Sequence, residues 1–230
     1  MNSSMFVLSE RVFNFILCEQ EIERNSFTFR IRWVVSHKIS MSREFSDSEI
    51  ISLTLEESDN FALIIDRYEQ KIFRYIMRLG DFSVDECEDI LQDIFIRVYT
   101  HLNEYDESFS FSSWIYRIAH NTTIDAYRKN SREGVIRLDD ELYEWLRETL
   151  STDENITSNL KEKNMRLLVQ ESFQSLTPEQ REVIILKYIE WRDYSEISDI
   201  LRIPMGTVGT LIHRGKKQLQ WSLTPIHNHL

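Results

Sequence analysis

Cysteine, glycine and proline are scarce in this 230-residue chain, at two, five and three copies. Two cysteines, Cys18 and Cys87, cannot build a disulfide framework, and no CxxC pair or Cys/His cluster has zinc-ligand spacing. This usage implies a reducing compartment, with no structural metal and no cofactor. So few breakers leave little turn material for a strand-rich fold. No apolar run approaches the roughly 18 residues that cross a bilayer. Glu10, Arg11, Glu19, Glu21 and Glu23 interrupt any secretory signal pattern near the start. The expectation is a soluble, cytoplasmic protein without membrane insertion. Basic charge is also in deficit: 27 Lys and Arg against 38 Asp and Glu leave a net charge of −11. That balance excludes a basic coat able to grip nucleic acid unaided.

What the chain does have is material for a core. Hydrophobic residues make up 42%, including 13 Phe, 9 Tyr and 5 Trp, and the length predicts one or two compact domains, mostly helical. Residues 131–160 mix acidic clusters with isolated apolar residues and show no sustained helical stripe, as a connecting segment does. The first forty residues show no convincing period. Met41 opens a segment that reads as a natural beginning, so residues 1–40 are expected to be an extension or an upstream start. The last 27 residues carry three basic groups, Arg214, Lys216 and Lys217, and no acidic one, so one end differs in charge from the rest.

Three segments in the first half carry helical periods. From Phe61 to Leu79, Leu63, Ile64, Tyr68, Ile72, Tyr75, Ile76 and Leu79 recur at three and four, with Gly80 at the C-cap position. In the next segment Ile90, Leu91, Ile94, Phe95, Val98 and Leu102 form one side, and Asp89, Gln92, Asp93 and Arg97 the other. On period alone that acidic side reads as a solvated helix surface. In the third segment, Ser110–Lys129, Trp114, Arg117, Asn121 and Arg128 fall on one side. A ring flanked by guanidinium and amide groups suits unpaired nucleic acid, where bases stack and cations meet phosphates. By itself such a tryptophan reads more readily as core. The loop Asn103–Phe109 before it is polar, ends in an aromatic and could hold an extruded base.

Near the C-terminus Thr177, Pro178 and Glu179–Gln180 mark a strong helix start. Tyr194–Leu201, a turn at Arg202–Met205 and a basic helix from Gly206 or Thr207 to about Gln220 then spell a helix-turn-helix. Ser198 permits a close crossing and Val208 packs into the corner. The last helix of such a motif enters the major groove, which nominates Thr207, Thr210, Leu211 and Arg214 toward base edges and Lys216 and Lys217 toward phosphates. Arg202 occupies the turn position where many such motifs carry Gly, so strain at positive φ is expected there.

Taken together, residues 61–219 resemble the extracytoplasmic-function class of bacterial sigma factors. EDILQDIFIRVY (88–99) and SFSSWIYRIAHNTTIDAYRK (110–129) look like sigma region two, and LTPEQREVIILKYIEWRDYSEISDILRIPMGTVGTLIHRGKKQL (176–219) looks like region four. The resemblance implies an all-α fold: a region two bundle over 61–130 and a region four helix-turn-helix over 171–222, joined by a flexible acidic linker over 131–170. Residues 1–60 would be an N-terminal extension and 223–230 a tail. It implies that Asp89, Gln92, Asp93 and Phe95 face the clamp of the polymerase's largest subunit. Phe109, Trp114, Arg117, Asn121 and Arg128 would recognise and open the minus-ten element. Region four would read the minus-thirty-five element with Thr207, Thr210, Leu211, Arg214, Lys216 and Lys217. Gly209 and Leu211 stand where such proteins often have a basic or polar residue. The implied partners are core RNA polymerase, including the flap of its second subunit, promoter DNA and an anti-sigma factor; a monomer is expected.

Three other classes compete with this reading. No Gly-rich phosphate loop, HExxH, adjacent His-Asp pair or nucleophile elbow supports an enzyme. A dimeric helix-turn-helix regulator would bind duplex tightly by itself. A helical interaction module would be favoured only if Trp114 were buried.

Overall fold

The computed structural model describes residues 45–130, 138–150 and 162–223. The expectation of an upstream start before Met41 lies outside these residues, as does most of the tail. The chain forms two compact units. Among the described residues, one comprises those up to Ile76 with Phe82–Arg128, and the other Met77–Asp81 with those from Lys129 onward. Among the described residues there is no strand.

In the first unit α1 spans Asp47–Glu56, α2 Phe61–Leu79, α3 Val84–Thr100 and α4 Phe111–Asn130. Each start has a local cause. Ser46 and Glu49, and likewise Ser83 and Glu86, exchange side-chain and backbone hydrogen bonds in capping boxes at the starts of α1 and α3. Helix α2 ends at Leu79 as expected, but no described glycine has positive φ, so Gly80 stops it without a left-handed cap. The core is aromatic and aliphatic: Phe61, Tyr68, Ile72, Tyr75, Ile94, Phe95, Ile115 and Tyr116 are all buried. Edge-to-face ring pairs, Phe61 with Tyr99 at 5.1 Å and Tyr75 with Tyr116 at 5.2 Å, add directional packing to the apolar burial.

Residues 46–60 are part of this unit rather than a separate extension. Helix α1 buries Ile50 and Ile51. Its Asp47 carboxylate accepts from Arg67 Nη1 at 2.6 Å and from the Tyr68 hydroxyl at 2.6 Å. Asn60 Nδ2 donates to the Leu53 carbonyl at 2.9 Å, closing the connection between α1 and α2. The period is hard to see in the sequence here because α1 is short and turns few apolar residues inward.

In the second unit α5 spans Asp140–Leu150, α6 Glu162–Gln174, α7 Pro178–Tyr188, α8 Tyr194–Leu201 and α9 Met205–Leu223. Helix α5 lies within the stretch that shows no sustained helical stripe and reads in sequence as a connecting segment. Leu142, Tyr143 and Leu146 are buried, and Trp145 stacks on Tyr188 with ring centroids 4.6 Å apart. Asp139 caps the helix by accepting from Leu142 N at 2.9 Å. Arg78, whose segment groups with this unit, is almost fully buried and donates to carboxylates of Asp139, Glu141 and Glu190, each at 2.8 Å. Three acceptors offset the desolvation that one buried guanidinium costs.

The helix-turn-helix is built as the sequence predicts. Thr177 and Gln180 form a capping box with Pro178 in the first turn of α7. Arg202 caps α8 in the left-handed region at φ 54°, ψ 43°. Ser198 does more than leave room: its hydroxyl donates to the Ile203 carbonyl at 2.6 Å and so closes the turn. Val208, Ile212 and Leu219 face inward. A Cβ on Gly215 would come within 2.8 Å of Ile184 Cδ1, so that glycine sets how closely α9 lies on α7.

Two residues make the stability of these units testable. A non-glycine residue held at positive φ is strained by about 1 kcal/mol; Arg202→Gly is expected to raise the thermal unfolding midpoint by roughly 2–4 °C, measured by circular dichroism. In the first unit, burial, with Asp66 and Glu88 nearby, pushes the Glu69 carboxyl up to about 7 from 4.5. Folded protein then holds a proton that unfolded chain has released, so stability falls as pH rises between those values. Glu69→Gln removes this loss. Its stability should exceed the parent's at pH 8 by on the order of 2 kcal/mol and match it near pH 4, read by denaturant titration at the two pH values.

Candidate nucleic-acid interface

Two sites are built on these scaffolds, one in each unit. The first lies where α3 gives way to α4. A 3-10 turn over Leu102–Glu104 leads into Tyr105, whose hydroxyl donates to the Phe109 carbonyl at 2.6 Å. Asp106 Oδ1 accepts from Ser108 N at 2.9 Å, and hydrogen bonds from Ser108 hold that carboxyl below the usual carboxylate range. The loop is therefore closed on itself. Ser110 then begins α4, its hydroxyl accepting from Ser113 N at 3.1 Å.

Phe111, at the first position of α4, is buried, and Trp114 stacks on it at 5.6 Å with planes 28° apart. Trp114 is half-buried, so the indole is neither a core side chain nor a free one. One turn on, Arg117 lies with its guanidinium carbon 5.7 Å from the centre of the Phe109 ring, which is 43% exposed. Asn121 and Arg128 continue the line in solvent. Ile115 and Ala119 point into the core, and Ile118 is half-buried. Four of the five nominated residues are thus gathered within three turns of one helix and the loop before it, and Arg128 lies two turns farther on. The buried Phe111 that carries Trp114 was not nominated, and Tyr105, beside both, entered only as part of the loop Asn103–Phe109.

On the adjacent helix α3, Asp89 and Asp93 are exposed and Gln92 is half-buried, an acidic surface one turn apart. Phe95 departs from its expected role. It is 1% exposed and packs edge-on to Phe61 at 6.4 Å. With a period of 3.6 it falls on the apolar side with Ile94 and Leu91, so it cannot touch a partner; it supports the helix from beneath.

The second site is the amino-terminal half of α9. Thr207, Thr210 and Arg214 are exposed on the side away from Val208 and Ile212, and Leu211 is half-buried on the flank of the buried face. The Thr210 hydroxyl donates to the Gly206 carbonyl at 2.8 Å, which leaves its lone pairs and methyl group facing outward. Lys217 is exposed. Lys216 is instead half-buried, with Nζ 5.3 Å from the centre of the Tyr188 ring, because four residues after Ile212 it falls on the flank of the buried face. Trp191 was not foreseen: it is 80% exposed and takes a left-handed φ of 56° between α7 and α8. Among the described residues no group of three or more His, Cys, Asp or Glu side chains could hold a metal ion, and no helix is long and apolar enough to cross a membrane.

Comparison with known proteins places both sites within one family. Residues 64–133 match the family described as Sigma-70 region 2, and residues 166–219 match Sigma-70, region 4. The chain is 38% identical over 175 residues to the ECF RNA polymerase sigma factor SigW of Bacillus subtilis, covering 73% of this chain and 90% of that one. It is 24% identical over 195 residues to the ECF RNA polymerase sigma-E factor of Haemophilus influenzae, covering 81% and 100%. The fold is similar to that of CnrH, solved in complex with the cytosolic domain of CnrY, with TM-score 0.56, 18% identity and coverage of 78% and 97%. The two matched regions contain the stacked tryptophan and the helix-turn-helix respectively, and the chain therefore belongs to the extracytoplasmic-function class of sigma factors, which bind core RNA polymerase and direct promoter recognition and the start of transcription.

Proposed function

We propose that the two sites divide the promoter between them, the Trp114 site taking the opened minus-ten strand and α9 reading the minus-thirty-five duplex. The observation that carries this is the half-buried stack of Trp114 on Phe111 beside the Arg117–Phe109 pair. A ring held on one side and partly open to solvent is a stacking platform for an unpaired base, and Arg117, Asn121 and Arg128 supply donors for phosphates and base edges. A helical interaction module would require Trp114 to be buried.

At the other end Thr207, Thr210, Leu211 and Arg214 face base edges, and Lys217 meets phosphate. Lys216 can join it only by leaving Tyr188. Asp89, Gln92 and Asp93 form the contact to the clamp of the largest polymerase subunit, with region four set against the flap of the second. With a net charge of −11 and one small basic end, the free protein should hold duplex weakly, since phosphate neutralisation sets most nonspecific affinity. Polymerase supplies the grip. The protein acts as a cytoplasmic monomer that shifts a strand-separation equilibrium and performs no bond chemistry. An anti-sigma factor is a further partner, as the structure of RpoE with the anti-sigma factor NepR illustrates for that protein.

Run-off transcription with core polymerase on a promoter library tests the reading; no promoter-dependent transcript would refute it. On a promoter so selected, Trp114→Ala should slow opening of duplex template about tenfold, the loss of one stacking contact, and affect a pre-melted template less. Equal loss on both would remove the melting role. Asp93→Lys should weaken core binding about fivefold, read by titration of labelled protein with core; unchanged affinity would take Asp93 out of the interface.

A further inference from the structure

Tyr105 touches three parts of the Trp114 site at once. Its hydroxyl is committed to the Phe109 carbonyl at 2.6 Å. Its ring meets Phe111 edge-on at 5.3 Å and Trp114 at 5.6 Å. One side chain therefore links the far end of the loop, the buried pedestal and the platform itself. Phe111 is in turn braced by Tyr68, edge-on at 5.6 Å, and Tyr68 is held by its hydrogen bond to Asp47 on α1. The Asp47 carboxylate is itself fixed by Arg67. A continuous line of contacts runs from α1, outside the matched region 64–133, to Phe109 at the mouth of the site.

We propose that Tyr105 is a positioning residue that holds the loop Asn103–Phe109 in its base-accepting form before DNA arrives, anchored through Tyr68 on α2 to Asp47 on α1. A loop left to order itself on binding would lose affinity and selectivity to that ordering, whereas one already closed does not. The tie works as a donor throughout the accessible pH range, because burial, then Glu107, Asp47 and Asp106, push the Tyr105 phenol up and keep it protonated. The inference rests on the proposal that this loop and Trp114 take the separated strand.

The test uses full-length protein in holoenzyme and a promoter selected by wild-type run-off transcription, with a second template altered at one minus-ten position. Tyr105→Phe keeps the ring and removes only the hydroxyl. It is expected to slow opening about fivefold, the loss of one hydrogen bond, and to compress the discrimination between matched and altered templates by a similar factor. Core affinity should stay unchanged, and the thermal midpoint should fall by no more than roughly 2–4 °C. Asp47→Asn should give a smaller change of the same kind, and the double variant should lose less than the product of the singles. Wild-type opening and discrimination in Tyr105→Phe would overturn the proposal. So would a loss of opening accompanied by an equal loss of core affinity, which marks a merely structural role. Trp114→Ala separates the two levels: if it impairs opening and Tyr105→Phe does not, the positioning role alone fails. If neither variant has an effect, the strand-capture reading fails with it.

Discussion

The stack of Trp114 on Phe111 is the contact on which the first unit's chemistry depends. An indole free in solvent would sample rotamers and present no fixed surface, and an indole in the core would present none at all. Packing one side of it on a buried phenylalanine at the start of α4 avoids both outcomes. Burial of Phe111 is itself secured by Tyr68 from α2 and Tyr105 from the loop. The platform is thus an extension of the core brought to the surface, and its rigidity is that of the core.

Charge imposes the complementary constraint. A protein at −11 repels the polymer it must read, and its basic residues at the C-terminal end are few. Of these, Lys216 rests on Tyr188, and Tyr188 is covered in turn by Trp145. What remains is enough to orient a helix in a groove and too little to hold one there against salt. The acidic side of α3, with Asp89 and Asp93 in solvent, is the surface through which the proposed polymerase contact would supply the missing affinity. Weak intrinsic binding is then useful, because a promoter is engaged only when polymerase is present.

Much of this is legible in the residues, and the failures have identifiable causes. Helices α2, α3 and α4 each carry a long apolar period and can be placed within a few residues. The capping box and proline at the start of α7 announce that helix without ambiguity. Helix α5 escapes a sequence reading because its stripe is short, Leu142, Tyr143 and Leu146 amid five carboxylates over 139–148, and only tertiary contact makes it a stripe. Phe95 is easily misassigned because it lies two residues from Asp93 in sequence and on the opposite face in space. Lys216 and Lys217 are adjacent and look alike, yet a step of about 100° along the helix puts one on an aromatic ring and the other in solvent. Family resemblance carries the acidic face of α3 and the Trp114 site; periodicity by itself leaves both as ordinary surface and core.

The helix-turn-helix shows why a locally unfavourable residue can persist. Arg202 takes a conformation that glycine adopts freely, and the turn nonetheless holds it at φ 54°. Its own N–H donates to the Ser198 carbonyl, Ile203 N donates to that same carbonyl at 3.2 Å, and the Ser198 hydroxyl returns the bond to Ile203. Three hydrogen bonds between one serine and the turn over-determine the path of the chain, so the strain at Arg202 is absorbed without displacing α9. Pro204 then accepts from Thr207 N and Val208 N, which starts α9 at a fixed phase. That phase decides the motif's use: it turns Val208 inward, and by the same rotation it turns Thr207, Thr210 and Arg214 outward. A one-residue slip in the turn would turn that exposed face inward, so the serine that closes the turn would matter to the proposed reading of DNA as much as the side chains assigned to it.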